Sequence, residues 1–476
     1  MSFVFYDTET TGTVTAFDQI LQFAAIKTDA DLNEVDRFEI RCRLLPHVVP
    51  APGAMRVTGV KVAQLFDPAY CSHYEMIRQI RAKLLAWSPA IILGYNSLDY
   101  DEHILRQALY KTLHPPYLTN TNGNCRADVL RMVRAASVFA PGAIVIPADD
   151  EKNLFKLDRV APANGFDHSA AHDALADVNA TIHLCRLLMS KAPAVWSAAM
   201  RFSQKASVID YISSERIFCW CEFYFGNAYS WLVLPIGTNP NNGSEFYVYD
   251  LQFDPETLAS LSDEDLESRL ARSPKPVRRL KCNASPMLTP VEDAPVFTAA
   301  SALGTEELER RADMLENDDK LRVRLIAALE AGQAPKEVSP HIELQIYDGF
   351  WPKADEFLME SFHAAPWEKR LAIAEKFQDP RLKTIAMHLI HIERPELLEM
   401  LIGAAHDRTR ARRVLGLDGE VPWLTLPKAI EQAEAMLIDC DGLHRDHLRE
   451  YCDHLRDWLD RAKAIIAGSN QSALSA

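Results

Sequence analysis

Asp7 and Glu9 stand two residues apart in the run Phe3-Val-Phe-Tyr-Asp-Thr-Glu-Thr-Thr-Gly12. The apolar, aromatic start of that run predicts a buried strand ending in polar turn residues and a glycine. Successive strand side chains point to opposite faces, so the two carboxylates share one face and Thr8 takes the other. Like charges so close are unfavourable unless a cation lies between them, and oxygen ligands suit a hard divalent ion. The pair therefore reads as a Mg²⁺ site suited to phosphodiester cleavage. Alone, a strand-end Asp-x-Glu is more often solvated surface, because charged side chains mostly stay in water. Other acids along the chain change that balance.

Asp101 follows a short buried strand, Ala90-Ile-Ile-Leu-Gly94, and the segment Tyr95-Asn-Ser-Leu-Asp-Tyr-Asp-Glu102, at the start of a predicted helix through Tyr110. Acids there also complement a helix dipole, a reading that suits Glu102 well and Asp101 fairly. Asp128 opens the helical pattern Ala127-Asp-Val-Leu-Arg-Met-Val-Arg134 and is expected to be its cap. Near residue 165 comes Gly165-Phe-Asp-His-Ser-Ala-Ala-His-Asp-Ala-Leu-Ala-Asp177, with a helix expected from Ala174 and Asp173 as its cap. His172 and Asp177 would lie roughly 140° apart on one continuous helix, so they share a site only if His172 precedes the helix. Asp173 and Asp177, at i and i+4, face the same way, and spacing alone leaves both open as ligands.

The elements that must carry these groups belong to a chain of 476 residues, too long for one ordinary core, so two to four domains are expected. A composition of 48% hydrophobic and 25% charged residues describes a soluble globular protein, and no apolar run approaches a membrane span. No secretory signal is visible, and a cytoplasmic location is the expectation. The nine cysteines are odd in number, scattered and without Cys-x-x-Cys, so they read as reduced thiols. A net charge of −15 excludes a protein coated in nucleic-acid-binding charge and leaves only a local basic lining for such a ligand.

Residues 1–192 alternate strand-like and helix-like segments, with further strands expected at Leu21–Thr28 and Arg37–Leu45 and a helix at Met76–Trp87. That order predicts an α/β domain with helices on a central sheet. Residues 193–345 read as hairpins in series, a small antiparallel barrel. In its first strand, Ile217 to Phe225, alternation puts Cys219 and Cys221 on one face, and Phe218, Trp220, Glu222 and Tyr224 on a wetter one. Trp220 and Tyr224 are thus candidates for stacking on unpaired bases, with packing against a neighbouring domain an equal alternative. Arg272, Lys275, Arg278, Arg279 and Lys281 form an acid-free basic stretch suited to phosphates, though a solvated strand would look the same. Arg408 to Arg413 sits in helical sequence and is expected to be a solvated face. Residues 346–476 read almost wholly as helices punctuated by prolines.

Asp7-Thr-Glu9, then Asn96-x-x-x-Tyr-Asp101, then His172-x-x-x-x-Asp177, in that order, resemble the three exonuclease motifs of the DEDDh superfamily. The resemblance implies a ribonuclease H-like domain in which Asp7, Glu9, Asp101 and Asp177 bind two Mg²⁺ ions, with Mn²⁺ able to substitute. It makes His172 the group that activates water and leaves Asp173 as a cap. Mg²⁺ needs only a few carboxylates, and histidine titrates near neutrality, so the residue types suit the chemistry. Over its whole length, including Leu344-Gln-Ile-Tyr-Asp-Gly-Phe350, the chain is similar to the bacterial exodeoxyribonuclease I family. That family joins the nuclease domain, an SH3-like β-barrel domain and a C-terminal all-α domain into a clamp around single-stranded DNA. The resemblance implies an enzyme that degrades such DNA processively from its 3′ end to mononucleotides, cooperating with single-strand-binding protein in repair and recombination; a monomer with no membrane partner is the expectation. Asn96, Trp220, Tyr224, Arg278, Arg279 and Lys281 are the candidate DNA contacts. The catalytic motifs do not distinguish sugars, so a 3′ exoribonuclease is the near rival and a noncatalytic strand-binding clamp the distant one.

Overall fold

The first strand is apolar on both faces because both are covered. In the computed structural model, which describes residues 2–149, 152–167, 173–224, 226–332, 337–439 and 441–468, β1 (Phe3–Thr10) is the middle strand of a five-stranded sheet. Antiparallel neighbours β2 (Ile20–Thr28) and β3 (Glu34–Arg41) lie to one side. Helix α1 (His73–Trp87), strand β4 (Ile91–Gly94), helix α2 (Asp101–Lys111), strand β5 (Cys125–Asp128) and helix α3 (Val129–Phe139) follow, with β4 and β5 parallel to β1 on its other side. Helix α4 (Ala174–Lys191) completes the module.

Strand alternation sorts the residues between two cores. Phe3, Phe5, Ala24, Ile26, Ile91 and Leu93 pack with residues of α3 and α4. Val4, Tyr6, Phe23, Ala25 and Ile92 pack with α1 and α2 on the opposite face. By the same alternation Asp7 and Glu9 continue the α4 face, and Thr8 and Thr10 continue the α2 face.

Two expectations shift. The third strand runs Glu34–Arg41 rather than Arg37–Leu45, because it is an exposed edge strand whose bounds are set by pairing with β2, not by burial. Residues 125–128 form a short strand, each pairing in parallel with β4, so Ala127 belongs to the sheet, and the helix begins after Asp128, which caps it as expected.

Helices α5 (Pro193–Phe202) and α6 (Lys205–Ser214) lead to a second, antiparallel sheet. Its strands β6 (Phe218–Tyr224), β7 (Asn227–Asn239), β8 (Asn242–Asp250), β9 (Val277–Lys281) and β10 (Met287–Thr289) lie in the order β9-β8-β7-β6-β10. One face, with Cys219, Leu232, Tyr247 and Val277, packs on α7 (Asp263–Ala271), α8 (Thr305–Asn317) and α9 (Asp319–Ala331). The other, with Phe218, Trp220, Trp231, Val248 and Leu280, packs on α5 and α6. The alternation holds, but the face expected to be wetter is covered, because α5 and α6 lie over it.

The remaining helices, α10 (Lys353–Ala364), α11 (Trp367–Ala374), α12 (Pro380–Glu393), α13 (Met400–Leu415), α14 (Leu426–Ile438) and α15 (Gly442–Ile466), close back on the first module. Tyr451, Leu455 and Trp458 share a core with Leu21, Val48 and Met55, and Tyr451 Oη donates to Pro50 O at 2.6 Å. The run Arg408 to Arg413 is not wholly solvated. Arg413 pairs with Glu343 at 2.7 Å and lies 4.2 Å over the Trp423 ring. No described helix is long and apolar enough to cross a membrane.

The seam between α10, α11 and the first module depends on a neutral histidine. Arg370 donates to Tyr74 Oη at 2.7 Å, Tyr74 donates to His363 Nδ1 at 2.8 Å, and His363 Nε2 donates to Leu113 O at 2.9 Å. The His114 ring stacks 3.9 Å from that of His363. Burial above all pushes His363 down to about 4 and His114 down to about 2. Both stay neutral in the fold, whereas the unfolded chain takes up protons below the ordinary histidine value of about 6.5. The stability these two histidines contribute is therefore complete above pH ~6.5 and is lost as pH falls towards the folded values, by at most ~1.4 kcal/mol per unit and per group. Chemical denaturation midpoints of wild type and His114→Gln between pH 7 and 5, with Mg²⁺ present, check this: the wild type should lose stability relative to the variant as pH falls, and a constant difference assigns the acid sensitivity elsewhere.

Candidate metal centre

Strand β1 delivers two carboxylates to the end of the sheet, and the chain then turns sharply. Thr11 N donates to Gln19 O at 3.0 Å, and Asp18 accepts from Thr11 Oγ1 at 2.8 Å and Val14 N at 2.7 Å. Gly12 is required by close approach: a Cβ there would lie 2.7 Å from the Asp18 carboxylate. Tyr100, just before α2, clasps the turn by hydrogen bonds to Thr10 Oγ1 at 2.6 Å and Gly12 O at 2.5 Å.

Helix α4 brings the third acid. Asp177 lies in its first turn, and one oxygen from each of Asp7, Glu9 and Asp177 lies within 4.8 Å of the others. Asp173, which spacing alone left open as a ligand, is the N-cap, accepting from Ala176 N at 3.3 Å. Its other oxygen is held by Arg41 at 2.9 Å and Gln22 at 3.1 Å, which turns it from the three-acid group. The helix starts after position 172, the arrangement that a shared site requires; His172 itself lies outside the described residues.

Asp101 arrives from the opposite side. It is the first residue of α2, is 5% exposed, and accepts from Thr8 Oγ1 at 2.5 Å. Thr8 is thus the β1 residue that meets the fourth acid, because it occupies the face that α2 covers. Asp101 stands outside the three-oxygen group yet close enough to act on Asp7 and Glu9 electrostatically. Burial first, then the charges of Asp101, Asp177 and Glu9, push Asp7 far above the usual carboxylate range. Burial and Asp177 push Glu9 up to about 9, with Arg41 pulling weakly the other way. Asp101 rises to about 7, chiefly from burial, against the Thr8 hydrogen bond.

So much unbalanced negative charge, offered wholly by carboxylate oxygens, fits a hard divalent cation and not a thiolate- or imidazole-bound one. Glu102, expected to complement the helix dipole, does lie in the first turn of α2, and is also 2% exposed and locked to Arg106 and Arg126, each at 2.7 Å, and to Thr119. Thr8, which holds Asp101, and Tyr100, which clasps the turn after β1, were given no role by spacing. Only the facing parity of β1 and the residue preceding Asp101 hinted at them.

The candidate strand contacts separate. Asn96 is exposed, with a left-handed backbone (φ +62°) that asparagine tolerates. Trp220 is 6% exposed, its ring 5.3 Å from Trp231 and its Nε1 donating to Glu222 at 3.1 Å, so it is a core residue and not an open stacking platform. Tyr224, at the end of β6, is 48% exposed and sits 5.7 Å from Tyr229, itself stacked on Trp231. Tyr229 was missed because it lies in a strand that reads as core. Arg278 is engaged, 3.8 Å over the Trp231 ring and 3.6 Å from Asp250. Arg279 and Lys281 are exposed, Arg279 lying near the Tyr247 ring.

Comparison with known proteins meets this geometry. The RNase_T family model, described as "Exonuclease", matches residues 4–185, the stretch holding all four acids. Exodeoxyribonuclease I of Escherichia coli (strain K12) is 30% identical over 405 residues, covering 81% of this chain and 84% of that protein. The Haemophilus influenzae enzyme is 28% identical over 406 residues, covering 81% of this chain and 85% of that protein. The structure of E. coli Exonuclease I in complex with a dA16 oligonucleotide superposes with a TM-score of 0.83 at 24% identity, covering 96% of this chain and 99% of that one. Exonuclease I from Methylocaldum szegediense gives 0.83 at 25% identity with the same coverage. Identity of 30% across most of both chains, well beyond the residues that the family model matches, places the chain in the exodeoxyribonuclease I family.

Proposed function

We propose that this exonuclease degrades single-stranded DNA processively from the 3′ end, releasing 5′-mononucleotides by hydrolysis at a two-ion site formed by Asp7, Glu9, Asp101 and Asp177. The convergence of Asp7, Glu9 and Asp177 oxygens within 4.8 Å carries the reading. Solved relatives support the substrate, since E. coli Exonuclease I has been captured with dA16 and with dT13 oligonucleotides. When bound, two Mg²⁺ ions would supply Lewis-acid neutralisation of the phosphate and of the leaving 3′-oxygen.

The chain's own groups do the rest. Asp7 and Glu9, fixed by strand pairing, and Asp177, fixed by the capped start of α4, would hold the ions, and Asp101, steadied by Thr8, would complete the set of acids. His172 takes the proton from the attacking water, a task suited to a group titrating near neutrality. Cooperation with single-strand-binding protein, and a place in repair and recombination, belong to the same proposal.

Digesting end-labelled single-stranded DNA, duplex DNA and RNA side by side with Mg²⁺ tests the proposal. Mononucleotides from the 3′ end of single-stranded DNA are expected. Equal or faster attack on RNA would make this an exoribonuclease, and no cleavage of any substrate would leave a binding clamp.

Tyr224 and Trp220 part company in the same system. Tyr224→Ala should cost ~1–3 kcal/mol of single-strand affinity, one lost stack, with little change in Tm. Trp220→Ala should cost about 3–5 kcal/mol of stability, as truncation of a buried aromatic does. Fluorescence anisotropy and denaturant melts measure the two effects, and a Tyr224→Ala variant with full affinity removes Tyr224 from the strand path.

A further inference from the structure

Asp128 does more than an N-cap needs to. A cap accepts from the first N–H groups of its own helix, and Asp128 Oδ1 does so from Leu130 N at 2.9 Å. The same carboxylate, 2% exposed, also reaches the loop between β4 and α2, about thirty residues earlier. Oδ1 accepts from Asn96 N at 3.1 Å and Oδ2 from Leu98 N at 3.0 Å. That loop makes no ladder hydrogen bonds and passes through the left-handed backbone of Asn96, φ +62°. It presses so closely on the strand end that a Cβ on Gly94 would lie 2.6 Å from Ser97 Cβ. Glu102 N donates to Ser97 O at 2.8 Å, so the place of Ser97 and Leu98 sets where α2 begins, and α2 begins with Asp101.

A second grip comes from the same helix. Arg131, on the first turn of α3, donates to Asp99 at 3.0 Å within this loop and to Ala284 O at 2.6 Å, just beyond β9. Arg126, on β5, reaches Glu102 at 2.7 Å and Asn283 O at 3.3 Å. The loop that presents Asp101 is therefore held between the buried Asp128 carboxylate and an arginine anchored on the second sheet's domain.

We propose that Asp128 is a positioning residue for the metal centre: it fixes the Tyr95–Tyr100 loop so that Asp101 meets the other three acids, and Arg131 ties that placement to the second domain. This rests on the reading of Asp7, Glu9, Asp101 and Asp177 as ion ligands. Asp128→Asn keeps one acceptor and much of the cap but puts an NH₂ against a backbone N–H. Outer partners that orient ligands typically account for about 10–100-fold in metal affinity or activity.

Mn²⁺ binding to the DNA-free protein, read by electron paramagnetic resonance, is the primary measurement, with kcat, KM and Tm alongside. Asp128→Asn should bind Mn²⁺ about 10–100-fold more weakly and lose kcat to a similar extent, with KM within about twofold. Ser262→Ala, a cap lesion on α7 in the second domain, should lower Tm and leave Mn²⁺ binding unchanged. Mn²⁺ affinity and kcat at wild-type level in Asp128→Asn, with Tm alone reduced, would make Asp128 a cap and overturn the proposal. Should that variant not fold, Arg131→Gln decides, since it removes the Asp99 contact and spares the buried carboxylate; unchanged Mn²⁺ binding there overturns the proposal too. Asp7→Asn and Asp101→Asn run in parallel. If both keep Mn²⁺ binding, the ligand assignment itself fails; if both lose it while Asp128→Asn does not, only the positioning role falls.

Discussion

Asp7→Asn should abolish hydrolysis and at the same time make the metal-free protein more stable. Asp7 is deeply buried and faces Asp101, Asp177 and Glu9, and its carboxyl is held far above the usual range by burial first and by those charges next. An acid whose folded pKa is raised binds its proton more tightly in the fold than in the unfolded chain. Its contribution is neutral below the unfolded value of about 4 and becomes a growing penalty as pH rises towards the folded value. Glu9, raised to about 9, extends that penalty across the neutral range. The metal-free protein should therefore lose stability between about pH 4.5 and pH 9, and a divalent cation should restore more of it at the upper end.

An asparagine at position 7 removes the cost of keeping that carboxyl protonated in the fold while it ionises in the unfolded chain, and relief of a single pKa unit is worth about 1.4 kcal/mol. The activity loss should exceed the roughly 10²–10³-fold cost of losing one oxyanion donor, because a proposed ion ligand is removed. Thermal melts with and without Mg²⁺ at pH 6 and 8, together with release of labelled mononucleotide, check both halves. Retained cleavage removes Asp7 from the site, and a variant less stable than wild type without metal refutes the charge-crowding account.

His172→Ala should slow the chemical step by about 10²–10⁴-fold, the usual value of a positioned general base, while binding of a single strand stays within twofold or so. The pH profile is the sharper readout. Wild-type kcat should rise through a group titrating near neutrality, and the variant should lose that inflection while remaining dependent on the four acids. Single-turnover rates from pH 5.5 to 9 measure it, and an inflection that survives the substitution assigns it to another group.

Much of the centre was legible because its signals are local. Asp7 and Glu9 share a face by strand parity, Asp128 and Asp173 cap helices where polar residues precede helical runs, and the start of α4 follows from the small apolar residues after Asp173. Strand β5 was invisible because four residues carry no period; only parallel pairing with β4 makes them a strand. Trp220 misled for the opposite reason. Alternation placed it correctly on the Phe218 face, but no pattern within β6 tells whether a helix from elsewhere covers that face, and α5 and α6 do. Arg413 looked like a surface charge, and nothing local showed that Glu102 is buried in an ion pair, for the same reason, since their partners Glu343 and Arg126 are distant in sequence.

The amino-acid order alone determined the kinds of group available, their facing along each strand or helix, and the resemblance that links three separated motifs. Tertiary packing decided which of them meet. It joined Asp7, Glu9 and Asp177 on one face of the sheet, turned Asp173 aside to Arg41 and Gln22, and brought Asp101 in from the other face against Thr8. Periodicity is a property of a few consecutive residues, whereas convergence depends on where separate elements dock. Docking is set by burial summed over whole cores, so it is written in no single stretch of the chain.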